Sequence, residues 1–143
     1  MSKGTPEFLR HTMGLIAKLN IEKPLLFRFD GGNDSKDILA PLEESGHFYI
    51  VKRNLRKEKG KYWMDVAQAE EAIVHQDESK TVYVGVHTGR KPARNESLPD
   101  IDVVFQVTER RRAKAGTRLF FPELEIEAFW TNMYENPETV IEL

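Results

Sequence analysis

The chain contains no cysteine, which excludes a disulfide framework and any thiolate-based zinc site. No apolar run approaches the roughly 20 residues that span a bilayer. The opening Met1-Ser-Lys-Gly-Thr-Pro-Glu also lacks the apolar centre of a signal peptide. A cytoplasmic protein with no membrane partner is the expectation. Net charge is scarce too: 21 Lys and Arg stand against 23 Asp and Glu, formally -2, so no global field draws the chain to nucleic acid. There is no internal repeat and no long low-complexity tract. What is present is 143 residues, 40% hydrophobic and 31% charged, enough for one modest domain with a single insertion.

The charge is unevenly spread. Lys52, Arg53, Arg56, Lys57, Lys59 and Lys61 are opposed only by Glu58, and Arg110, Arg111, Arg112, Lys114 and Arg118 form a second basic cluster. Each is either a solvated loop or a set of phosphate contacts. His11, His47, His75 and His87 have no zinc-ligand spacing, and Ser35 and Ser45 have no adjacent base.

Thr5-Pro6-Glu7 opens a helix with a capping hydroxyl, a first-turn proline and an acid. Phe8, Leu9, Thr12, Met13, Ile16 and Leu19 then form its apolar stripe. Leu25 to Phe29 is nearly continuous in hydrophobicity and predicts a strand covered on both faces. Asp34 or Ser35 should cap a second helix through Glu44, with Ile38, Leu39 and Leu42 inward and Gly46 as terminator. Pro41 argues for a kink or a later start, since a proline inside a helix costs about 3 kcal/mol. His47 to Lys52 predicts another buried strand.

From Tyr62 the period changes to two. Tyr62 to Ala67 reads as a strand. Val82, Val84 and Val86, then Ile101, Val103, Phe105 and Val107, then Leu124, Ile126, Ala128 and Trp130 alternate with more polar positions, predicting antiparallel strands with one wet face. Trp63 and Trp130 read as core or hairpin-packing residues. Asn136-Pro137-Glu138 opens a final helix.

The residue singled out for chemistry is Asp30. It ends the apolar run Leu25-Leu26-Phe27-Arg28-Phe29 and precedes Gly31-Gly32-Asn33-Asp34-Ser35. A strand delivering a carboxylate into a glycine turn and a helix start is where open α/β sheets hold ligands and metals. The same residues also suit a plain turn, in which the carboxylate bonds its own downstream N–H groups. Asp34 and Asp37 are explained by capping and the helix dipole.

Asp30-Gly-Gly-Asn-Asp-Ser, with Lys3-Gly-Thr-Pro-Glu-Phe-Leu upstream and His47-Phe-Tyr-Ile-Val-Lys-Arg-Asn-Leu downstream, resembles DDE-type insertion-sequence transposases. Within that group it is similar to bacterial elements whose ribonuclease-H-like catalytic domain carries a β-strand insertion. The resemblance is specific over Lys3 to Arg56 and architectural from Tyr62 onward. It implies an α/β fold: a partial ribonuclease-H-like core over residues 1–61 and an antiparallel β-rich insertion over 62–131. Residues 132–143 would be the start of a truncated C-terminal helix.

The resemblance also implies a role for Asp30, as the second of three catalytic acids that ligate Mg2+ or Mn2+. The third acid of the family lies in a Tyr-x2-Arg-x3-Glu-x6-Lys pattern and the first on an earlier strand. The expectation is therefore a central fragment, inactive alone and binding metal weakly or not at all, with an open sheet edge. Its parent would cleave and join DNA at element ends by a two-metal mechanism. The implied partners are terminal inverted repeats and target DNA, with a dimer on DNA and nucleoid association when active. Lys52, Arg53, Arg56 and Lys57 are the expected phosphate contacts, because they follow a strand whose end should lie near Asp30. The alternatives are a non-catalytic DNA-binding or protein-interaction module, and a ribonuclease-H-like nuclease.

Overall fold

The entrance at Thr5-Pro6-Glu7 starts α1 (Thr5–Lys18), the first element of the computed structural model, which describes residues 5–18, 24–29, 36–53, 55, 60–90, 100–112 and 117–142. Among the described side chains of α1 only Leu9 is fully buried; Phe8, in the same expected stripe, is 69% exposed. Thr12, Met13 and Ile16 are half-buried, so the apolar face is narrower than the sequence suggests and Phe8 falls beyond its margin. Leu19 lies outside the described residues.

β1 (Leu26–Phe29) leads by α2 (Lys36–Ser45) to β2 (Phe48–Lys52). The two strands pair in parallel, with Leu26 opposite Phe48 and Phe29 opposite Val51, as expected of a strand–helix–strand crossover. α2 keeps Pro41 inside it without ending there. Ile38, Leu39 and Leu42 are completely buried; at about 1.5–3 kcal/mol for each buried side chain, their burial offsets the lost backbone bond and ring clash. Gly46, at φ +74°, ends the helix in the left-handed conformation. The Ser45 hydroxyl donates to the Leu42 carbonyl at 2.7 Å and accepts from the His47 N–H at 3.1 Å. The proposed caps, Asp34 and Ser35, lie outside the described residues.

β1 departs from the expectation of a strand buried on both faces: its residues alternate between exposed and half-buried, and Leu26 is exposed. The sheet order β1-β2-β6-β5-β4-β3 puts it at an edge. Its apolar run reflects edge packing rather than a sheet interior. β2 is the interior strand, with Tyr49, Ile50 and Val51 fully buried.

The period-two reading fails at its first segment. Residues 62–67 lie in α3 (Gly60–Ala69), and the buried set Trp63, Val66 and Ala67 has helical spacing. The β-rich region therefore opens with a helix. α3 ends at Ala69, and Glu71, at a φ of 52°, then turns the chain, while the Ala72 N–H bonds the Ala67 carbonyl at 3.1 Å.

β3 (Ile73–Gln76), β4 (Lys80–Arg90), β5 (Ile101–Arg112) and β6 (Arg118–Thr131) follow, then α4 (Pro137–Glu142). β3 and β4 pair antiparallel, as do β2 and β6. The alternation of β5 survives in Ile101, Val103, Phe105 and Val107, all buried, but Val104 and Thr108 are buried too. β5 thus has buried residues on both faces, Val103, Phe105 and Val107 on one and Val104 and Thr108 on the other, and the expected wet face is absent there. On β4 the alternation holds only in part: Val84 is buried as expected and Val82 and Val86 are half-buried, but Thr81 and His87, on the alternate positions, are buried as well. The Trp63 ring of α3 lies 6.1 Å from His87 and 5.8 Å from Phe105, which draws these positions inward. Trp63 and Trp130 are both core residues.

The chain forms two compact units that interleave in sequence. One comprises Met1–Asn54, Thr88–Asp102 and Phe129–Tyr134; the other comprises Leu55–His87, Val103–Ala128 and Glu135–Leu143. The long strands β4, β5 and β6 each contribute residues to both units. Asn136 caps α4 as predicted, its Oδ1 accepting the Glu138 N–H at 2.9 Å.

Candidate functional site

The carboxyl ends of β1 and β2 lie side by side. Phe29 is opposite Val51, Lys52 is the last residue of β2, and Lys52 is opposite Phe129 of β6. Asp30, the residue after β1, lies outside the described residues, as do Arg56 and Lys57. Of the expected site residues the structure describes Lys52 and Arg53.

The start of this strand pair is fixed locally. The Phe48 N–H donates to the Leu25 carbonyl at 2.9 Å, and the Leu25 N–H donates to His47 Nδ1 at 3.0 Å. His47 thereby serves as an acceptor that clips β1 to β2, with Phe27 packed edge-on to its ring at 5.8 Å. Asn132 holds the other side of β2: its Oδ1 accepts the Tyr49 N–H at 3.0 Å and its Nδ2 donates to the His47 carbonyl at 2.9 Å.

Lys52 and Arg53 are both half-buried. The Arg53 guanidinium lies over the Trp130 ring, 4.6 Å from its centroid, a cation–π stack that occupies one face of the group. Arg28 is a third cation here, which the sequence reading passed over inside its apolar run. It lies 5.3 Å from the Phe129 centroid. The register sets Arg28 opposite Ile50, two residues before Lys52, so both cations fall on one face of the strand pair. Alternation alone carried the signal, since every second residue of an edge strand points to one face.

A cavity of about 350 Å3 in the same unit has the opposite sign. Glu43, Asp100, Asp102, Asn132 and Tyr134 line it, and the Tyr49 hydroxyl donates to Glu43. Burial first, then the hydrogen bond and charge of Glu43, raise the Tyr49 phenol well above its ordinary value. This carboxylate cavity repels phosphate. Among the described residues no three His, Asp or Glu side chains are arranged to hold a metal ion.

The second basic cluster is partly committed to structure. Arg110 pairs with Glu125 at 3.0 Å. Arg111 donates from Nη1 to Thr81 Oγ1 at 2.6 Å and from Nη2 to the Asp77 carbonyl. Arg112 and Arg118 are exposed. The histidines are structural in their contacts: His75 meets Glu138, and His87 Nδ1 meets Glu70 at 2.8 Å with Nε2 3.4 Å from the Tyr62 hydroxyl.

No protein family's sequence profile matches the chain, and no curated protein or solved structure matches it.

Proposed function

We propose that this chain is the central part of the catalytic domain of a DDE-type transposase, whose whole protein cleaves and joins DNA at insertion-sequence ends. The observation that carries the reading is the parallel pairing of β1 and β2 with Phe29 opposite Val51. The strand that runs into Asp30 thus ends beside the strand that ends at Lys52, at the edge where α/β sheets carry their ligands. Arg28, Lys52 and Arg53 supply positive charge around those strands. In this reading Asp30 is a metal ligand, Lys52 and Arg53 together with Arg56 and Lys57 hold phosphates, and Mg2+ or Mn2+ belongs to the completed site. The partners are the element's terminal repeats and target DNA, bound by a dimer in the bacterial cytoplasm.

An excision assay tests it, using the gene that encodes this segment and a reporter flanked by the element's terminal repeats. Asp30→Asn is expected to abolish excision while leaving end binding in place, since the change removes a ligand charge and little volume. Excision at the unaltered rate in that variant would overturn the reading.

A further inference from the structure

The aromatic pair Phe120–Phe121 is 92% and 74% exposed. Its rings meet edge to face at 4.8 Å. Both lie near the start of the strand β6, and neither is covered by the other described residues. Beside them lies a cleft of about 590 Å3 lined by Glu78, Arg111, Arg112, Arg118, Leu119, Phe120 and Pro122. Three of those seven side chains are arginines.

The arginines are not equivalent. Arg111 is anchored by Thr81 Oγ1 and the Asp77 carbonyl, and the backbone N–H groups of Arg111 and Arg112 donate to the Ser79 carbonyl at 2.8 and 3.2 Å. One cation is thus fixed in place at the cleft wall, while the exposed Arg112 and Arg118 side chains stand at the end of β5 and the start of β6.

We propose that this cleft and the Phe120–Phe121 pair form a binding surface for single-stranded nucleic acid, the arginines taking phosphates and the phenyl rings stacking on unpaired bases. Aromatic rings beside a positively charged groove are the combination that such strands require. A duplex hides its base faces and offers the rings nothing to stack on. An anionic bilayer fits less well: Glu78 lines the cleft and the exposed Glu123 and Glu125 follow on the same strand, so a flat negative surface would meet carboxylates as soon as it met the arginines. A narrow polyanion avoids them. The inference uses neither Asp30 nor Lys52 and stands apart from the transposase reading.

Fluorescence anisotropy with a labelled 15-nucleotide oligothymidylate, a duplex of equal length and phosphatidylserine–phosphatidylcholine vesicles decides it. The wild-type chain should bind the single strand at least about tenfold more tightly than the duplex. Phe120→Ala/Phe121→Ala should weaken single-strand binding at least about tenfold and leave duplex binding unchanged. Arg112→Ala/Arg118→Ala should weaken it and flatten the slope of log affinity against log salt by about 1.4, two contacts at roughly 0.7 each. Fluorescence of the buried Trp63 and Trp130 reports whether each variant keeps its fold. Oligothymidylate binding that is absent in the wild type, or unchanged in either folded variant, overturns the proposal. So does a loss confined to vesicle binding. A Lys52→Ala control separates the two readings, since it should affect duplex binding alone.

Discussion

The Arg53 guanidinium rests over Trp130 at 4.6 Å, and this one contact divides the first basic cluster. Arg53 contributes to packing between β2 and β6, where Trp130 is opposite Val51, as well as offering a charge to phosphate. Lys52→Ala is therefore expected to weaken duplex binding and flatten its salt slope by about 0.9. Arg53→Ala should also cost about 1 kcal/mol from the lost cation–π stack and stem packing. Urea denaturation and a salt series of binding isotherms on the same two variants check the separation. Identical stability losses would make the Arg53 contact energetically idle.

Tyr49 makes the fold sensitive to alkali. Its phenol is raised above the ordinary 10.0 by burial, then by Glu43, so the folded chain keeps a proton that the unfolded chain releases. The stabilisation is fully present below pH about 10 and declines above it by about 1.4 kcal/mol per pH unit. Tyr49→Phe should remove that dependence while costing about 1 kcal/mol at neutral pH for the lost hydrogen bond. Unfolding free energies measured from pH 8 to 11, on the order of the window the linkage sets, should give a flatter curve for the variant.

Asp77 acts at the other end of the scale. Its carboxylate accepts the N–H groups of Lys80 and Ser79 and the Ser79 hydroxyl. The backbone bond from Lys80 leads in lowering it below the ordinary 3.8. Stability from this turn is present above that value and is lost as pH falls through the lower folded value. Direct titration of the Asp77 carboxyl carbon by NMR should give a depressed midpoint. Asp77→Asn should make the β3–β4 turn indifferent to acid.

Two glycines distinguish rigid from yielding neighbours. A Cβ on Gly85 would lie 2.8 Å from Phe105 Cζ and 3.3 Å from Ala72 Cβ, and Phe105 is fully buried. Gly85→Ala should cost about 1–3 kcal/mol. At Gly60 the added atom would meet Leu124 Cδ1 at 3.0 Å. Leu124 is 39% exposed and its Cδ1 can swing away, but its Cβ, at 3.2 Å, is tied to the backbone, so Gly60→Ala should be destabilising by less than Gly85→Ala. Thermal unfolding of both variants tests the contrast.

Incubation of the chain with supercoiled DNA in magnesium or manganese should give no nicking, because the transposase reading carries a catalytic role onto Asp30 alone and a two-metal centre needs several oxygen ligands. Metal-dependent nicking that disappears in Asp30→Ala would reveal a complete centre in this chain.

Local chemistry by itself determined α1, α2 and α4, because their starts and stops are written in adjacent residues: Thr5-Pro6-Glu7, Gly46 and Asn136-Pro137-Glu138. It also determined β2 and the long strands, whose apolar residues are contiguous or alternate. Only the tertiary structure decided that residues 62–67 are helical. Trp63, Val66 and Ala67 satisfy a helical stripe that a short period-two window does not separate from a strand. It also decided which faces of β4 and β5 are covered, and that the apolar β1 lies at an edge, since coverage depends on which elements arrive from elsewhere in the chain. For the same reason the aromatic pair at Phe120 and Phe121 was invisible as a surface: hydrophobicity marks a residue as fit for burial, and only packing shows whether anything buries it.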